Sequence, residues 1–258
     1  MGLLGGVITF VSGYDGSVDA DITEVLTRTL PSHSAMLTYS SMFRGGLVSG
    51  VVSLVVALAV SEDRDSGLAK NLFSSGIGRG RYAVEKLTLT TLLSLWYALL
   101  SIVTLEITFA ALGFDYESAE PVVEWLGFVM ALVLGIAVYA TIAAMAALVT
   151  GSRVFSSVVA VGAGFQLIGG MLTGLAGMVP QIGWVQRLVA RLPICNMNML
   201  TDARSMMAET LPESARSFLT GSADLGVPVW AHVTVCFVGC LALCWAVTLL
   251  VVCRRDPC

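Results

Sequence analysis

The chain has 258 residues, of which 56% are hydrophobic and only 12% charged, with a formal charge of −4 and a mean hydropathy of +0.85. Soluble domains carry about a quarter charged residues, so a water-soluble core could not hide this much apolar surface, whereas a bilayer can. The small negative charge excludes nucleic acid as a partner, and the composition predicts an all-α, polytopic transmembrane helical bundle forming a single domain over residues 1–258.

Met1–Ser12 is apolar, but as a helix it would reach only about 18 Å, short of the roughly 30 Å of hydrocarbon. No basic segment precedes it and no small-residue cleavage site follows, which argues against a signal peptide. It reads as the outer part of a first span that is short or begins upstream of Met1. Asp15–Ser41 carries Asp15, Asp19, Asp21 and Glu24 against a single Arg28 and reads as an external, solvated loop. Five apolar runs follow, at Gly45–Val60, Leu87–Gly113, Trp125–Thr150, Phe155–Val179 and Val229–Cys253. Each is expected to be helical, because backbone amides in lipid must be satisfied within the segment. The total is about six spans.

The connections set the orientation. Arg64, Lys70, Arg79, Arg81 and Lys86 fall between the first two of those runs, Arg153 in the short Gly151–Arg153 connection, and Arg254 and Arg255 in the tail. Phe114–Glu124 has only Asp115, Glu117, Glu120 and Glu124. The two sets alternate across the membrane, so the basic set is cytoplasmic and the protein is placed as multi-pass in a cell membrane. Alternation puts the long Pro180–Pro228 connection outside. Within it Ile182, Val185, Leu188, Val189 and Leu192 share a helical face opposite Gln186, Arg187 and Arg191, an interfacial amphipathic pattern that Pro193 ends. The Met-rich stretch beyond it (Met197, Met199, Met206, Met207) is read as packing, with a greasy substrate path as the alternative.

The connection over 61–86, with the first residue of the next span, reads SEDRDSGLAKNLFSSGIGRGRYAVEKL. Ser66 is a candidate N-cap for a short helix over Gly67–Ser74, and Gly76, Gly78 and Gly80 would then allow a tight reversal. Tyr82, Glu85 and Lys86 begin the next helix at the lipid interface. In Glu62, Gly67, Lys70–Asn71–Leu72, Gly76, Arg79, Tyr82 and Lys86 this segment resembles the cytoplasmic loop of the ABC-2 type permease family, the transmembrane subunits of bacterial export and peptide-resistance ABC transporters. The family's basic amphipathic segment before the first span is absent, and Gly78 stands where the family usually has Ser. The resemblance implies that these residues, with Arg81, dock on a separate ATPase subunit. It also implies a second permease subunit, making a homo- or heterodimer in the lipid bilayer. No G-x-x-x-x-G-K-[ST] occurs in the sequence, so the chain is not read as an enzyme. It has no catalytic residues and no cofactor of its own, and ATP-Mg belongs to the partner.

Within the spans, Glu106 is an ionisable residue at membrane depth, a candidate for a cationic substrate group or a proton relay, or else a side chain snorkelling outward. Gln166 lies mid-span and is a candidate for the substrate path, or a hydrogen-bonding tie between helices. Gly46-x-x-x-Gly50 and Gly170-x-x-x-Gly174 permit close helix approach. Cys236, Cys240 and Cys244 share one face of the last span with His232 nearby, and they read as packing residues with no metal site. The expected function is export of an amphipathic substrate such as a peptide antibiotic, lipid-like molecule or drug. The alternatives are a non-transporting scaffold or sensor, and an ion-coupled carrier using Glu106.

Overall fold

A computed structural model describes residues 35–44, 46–67, 74, 78–111, 121–178, 191–202 and 228–254. Among them the chain is all-helical, in eight helices: α1 (Ala35–Arg44), α2 (Leu47–Asp65), α3 (Arg79–Ala111), α4 (Val122–Thr150), α5 (Arg153–Gly164), α6 (Leu167–Met178), α7 (Pro193–Asp202) and α8 (Val229–Arg254). Met1–Ser12, most of the acidic loop and the amphipathic stretch over 182–190 lie outside the described residues.

Three helices, α3, α4 and α8, are long and apolar enough to cross a membrane. The protein is therefore a membrane protein. The most apolar window of α4 is 78% buried, against 22% for α3 and for α8, which makes α4 the centre of the bundle. It touches α2, α3, α5, α7 and α8. Small residues let so many neighbours approach. A side chain on Gly127 would collide with the Trp230 ring, and one on Gly135 would lie 2.9 Å from the Phe237 ring. Gly127 and Gly135 share a face of α4, while Trp230 and Phe237 share a face of α8. The outer surfaces are apolar too: Trp96 and Ile107 on α3, Val154 and Met171 on α5 and α6, and Val235 and Leu243 on α8 are all exposed. Such surfaces suit lipid rather than water.

Two of the five apolar runs depart from a simple span. The first is a 19-residue helix, α2, that continues past Val60 through the charged Glu62–Asp65 stretch. The fourth is not one helix. Residues 155–179 were read as a single span, but α5 ends at Gly164, and Gln166 takes φ of 61° before α6 begins at Leu167. Twelve residues of α5 reach only about 18 Å, so the break falls within the thickness of a bilayer.

The cause of the break is packing on α2. Gly46, with φ of 66°, turns the chain between α1 and α2, and a side chain there would lie 2.7 Å from the Gly164 carbonyl oxygen. At Gly50 it would lie 2.5 Å from the Phe165 ring. The Ser49 hydroxyl lies 2.7 Å from the Gly164 carbonyl oxygen and donates to it. A carbonyl freed by the broken helix is thus satisfied from the neighbouring one, as hydrocarbon surroundings require.

Two connections also differ from the sequence expectation. Ala35–Ser41 was assigned to an external loop, yet it lies in α1 and buries Met36 and Tyr39 in the core. Residues 191–202 were assigned to an external segment, yet α7 packs inside the bundle, with Ile194, Asn196, Met197, Leu200 and Thr201 buried. The Met197 sulfur lies beside Gly135, thirteen residues and about 20 Å along α4 from its start. Apolar side chains at Ile194, Met197 and Leu200, a helical 3-residue spacing, draw this short helix inward.

Candidate functional site

A group of charged residues gathers where α2 and α8 end and in the first turns of α3 and α5. Asp63, two residues from the end of α2, forms an ion pair with Lys86 of α3, and their side chains are only 18% and 17% exposed. The Tyr82 hydroxyl donates to the same carboxylate at 3.4 Å, and the Lys86 ammonium stands 5.7 Å from the Tyr82 ring centroid, within cation–π range. Glu62 faces Arg153, the first residue of α5, at 3.6 Å. Both of those side chains are at least half exposed, so the pair is screened and weak. Arg81 pairs along the helix with Glu85 at 3.1 Å, on the exposed surface. Under the pairs, the Ser61 and Ser156 hydroxyls meet at 3.1 Å and tie α2 to α5.

Helix dipoles bear on the Glu62–Arg153 pair: Glu62 lies at the negative C-terminal end of α2 and Arg153 is the first residue of α5, at its positive N-terminal end, so each charge is better placed beside the other helix than beside its own. Lys86 lies two turns into α3, beyond the reach of that helix's dipole. The better-shielded Asp63–Lys86 pair ties α2 to α3, and the weaker Glu62–Arg153 pair and the serine hydroxyls tie α2 to α5. A side chain on Gly80 would lie 3.1 Å from the Cys253 sulfur, which brings the end of α8 to the same place. The described parts of the basic connections that the sequence assigns to one side are thus together at one end of the bundle.

Of the residues singled out in the sequence, Glu62, Tyr82 and Lys86 are in this cluster, with Arg79 and Arg81 in the first turn of α3. Gly67, with φ of 75°, follows the last turn of α2, where the Ser66 N–H donates to the Glu62 carbonyl at 2.9 Å. Ser66 thus closes α2. The helix expected over Gly67–Ser74, and Lys70, Asn71, Leu72 and Gly76 with it, lies almost wholly outside the described residues. Asp63, the residue to which Tyr82 and Lys86 both turn, was not singled out, although it stands beside Glu62 in the same acidic run.

Glu106 and Gln166 are in different places. Glu106, five residues before the end of α3, accepts a hydrogen bond from the Tyr39 hydroxyl of α1. Beside it lies an open hollow of about 430 Å³ lined, among the described residues, by Tyr39, Ile102, Val103, Glu106, Ile107 and Trp125 with Ala35. Gln166 does not line that cavity. It occupies the break between α5 and α6, with its Cγ against Gly46, and its buried side-chain nitrogen has no hydrogen-bond partner among the described residues. That amide nitrogen does not tie helices together as the sequence reading allowed.

The glycine patterns divide as well. Gly46 and Gly50 do make a close helix approach, but to Gly164 and Phe165. At Gly170 nothing among the described residues stands within 4 Å of a side chain's position. On α8, Cys244 is buried, Cys240 packs against the core and the Cys236 sulfur lies 3.6 Å from the His232 ring. Tyr39 and Trp125 were missed as site residues, Tyr39 because its segment read as loop and Trp125 because it read only as the start of a span.

No family model, no curated protein and no solved structure matches the chain.

Proposed function

We propose that the chain is the membrane-spanning subunit of an ATP-driven transporter, with about six spans, in a bacterial plasma membrane. The observation that carries this reading is the cluster at the charged end. Glu62, Tyr82 and Lys86, three of the residues in which the 61–86 segment resembles ABC-2 type permeases, are tied with Asp63 and Arg153 into one junction of α2, α3 and α5. A partner that pushes on the loop between α2 and α3 would move three helix ends at once.

In this reading two such subunits, alike or different, form the path, and two ATPase subunits dock beneath them on the cytoplasmic side. Closure of the ATPases on ATP is passed through Arg79, Arg81 and the adjoining loop into the junction. The work delivered there reorients the helices and exports an amphipathic substrate. Energy comes from the partner's ATP-Mg; the chain's own part is to receive force and shape the path.

Co-purification from native membranes tests the reading, with the native chain and with an Arg79→Glu, Arg81→Glu variant. An ATPase subunit is expected with the native chain and is expected to be lost with the variant. Recovery of the ATPase with both would move the docking site elsewhere. Recovery with neither, under mild extraction, would sink the proposal.

A second reading draws on the Tyr39–Glu106 hydrogen bond. A carboxylate held at membrane depth is a common device of ion-coupled carriers. Substrate uptake into vesicles holding the chain alone, driven by an ion gradient and abolished by Glu106→Gln, would favour it.

A further inference from the structure

We infer that His232 and Cys236 of α8 form a binding site for a soft monovalent metal ion, the class of Cu(I) and Ag(I). The two residues are four apart, on one face of the helix. The spacing alone reads as packing; what makes a donor pair of it is the Cys236 sulfur lying 3.6 Å from Nε2 of the His232 ring. Imidazole nitrogen and thiolate sulfur are donors that such ions accept. Bonds of about 2.0 Å to nitrogen and about 2.3 Å to sulfur, the lengths zinc takes, let one ion reach both atoms. A linear arrangement wants the donors about 4.3 Å apart, and rotation of two half-buried side chains supplies that small opening. The pair is a two-donor site; no group of three such donors occurs among the described residues.

Charge selects a monovalent ion. On binding, the ion gains one bond to sulfur and one to the Nε2 lone pair, with the imidazole proton on Nδ1, and the thiol proton leaves to water. The bound group is then neutral, which apolar surroundings tolerate. A divalent ion on the same two donors would keep a net positive charge, and the charge of Arg191 already reaches Cys236. Cys240 and Cys244 continue the four-residue interval deeper into α8 with their thiols in contact, but two thiolates on one monovalent ion leave a net negative charge. The mixed pair is therefore favoured. It is also reachable. The far end of α8 adjoins Gly80, so His232, in the first turn, is near the polar boundary opposite the Asp63–Lys86 junction. Cys236 is about 6 Å deeper. The site stands without the transporter reading.

The test is X-ray absorption on the full chain in lipid nanodiscs, loaded with one equivalent of Cu(I) from a coloured chelating competitor that also reports the affinity. The native chain is expected to show linear, two-coordinate Cu(I) with one sulfur and one imidazole nitrogen. His232→Gln is expected to lose the nitrogen, and Cys236→Ser to shift the ion off the mixed pair. Each should weaken binding about ten-fold or more, since residues that merely orient a metal ligand are worth that much. His33→Gln, which changes the chain's other histidine, is expected to leave spectrum and affinity unchanged. An all-sulfur spectrum in the native chain, or an affinity unaltered by Cys236→Ser, would overturn the site. So would Zn²⁺ binding as tight as that of Cu(I) in the same discs. Should His232→Gln or Cys236→Ser fail to fold, the native and His33→Gln spectra decide between them whether His232 supplies the nitrogen. ATPase recovery is a separate readout, so Cu(I) held by nitrogen and sulfur without an ATPase would keep the site and remove the transporter.

Discussion

Asp63 and Lys86 set the local balance at the charged end. Their side chains are less than a fifth exposed, so the pair is neither a solvated surface pair nor a fully buried one. Removing one partner leaves a poorly hydrated charge, whereas removing both leaves none. Asp63→Asn and Lys86→Met are each expected to lower stability by about 1–3 kcal/mol. The Asp63→Asn, Lys86→Met double variant should lose less than the sum of its singles. Thermal unfolding of the four proteins in detergent measures this, and strictly additive losses would show that the pair does not couple α2 to α3. Lys86 was legible in the sequence as the start of a helix at an interface. Asp63 was not, because nothing in a run of acidic residues says which one faces a neighbouring helix.

The α5–α6 break belongs to the scale of elements. A non-glycine residue at positive φ costs about 1–2 kcal/mol, and Gln166 also leaves a buried amide nitrogen without a partner among the described residues. Close packing of Gly164 on Gly50 and the Ser49 hydrogen bond offset these costs. A methyl at Gly164 would lie 2.7 Å from the Gly50 Cα, and backbone cannot swing aside as a side chain can. Gly164→Ala is therefore expected to cost about 1–3 kcal/mol by overpacking. Gly170→Ala, within α6 and with nothing among the described residues within 4 Å of the added methyl, should cost little and can gain up to about 1 kcal/mol of helix propensity. Equal shifts in the two thermal midpoints would refute this account of the break. The long helices were legible from their apolar runs, α4 and α8 to within a few residues. The break was not, because residues 155–179 are mostly apolar, carry no charge and hold no proline. Burial of α7 was hidden similarly, since alternation of spans assigns a side and not a depth.

At the scale of the whole molecule, the basic helix ends converge although they are far apart in sequence. Glu62 meets Arg153, and Gly80 meets Cys253. Alternation of Lys- and Arg-bearing connections made this convergence legible, and it sets a sidedness that labelling in cells checks. In a cysteine-free background, Ser152→Cys is expected to react with an impermeant maleimide only after permeabilisation, and Val122→Cys in intact cells. Both positions are exposed; the opposite pattern would turn the molecule over in the membrane. The interrupted helix also bears on how such a molecule is made. Taken alone in a bilayer, residues 153–178 have every reason to form one continuous rod, because an unbroken ladder satisfies every interior amide. The bend requires the glycine face of α2, reached across 115 positions of chain at the Ser49–Gly164 hydrogen bond. Since α2 leaves the ribosome first, that face is already in the membrane when the later segment arrives as a straight rod. The kink is then the mark of docking, acquired at assembly rather than at insertion.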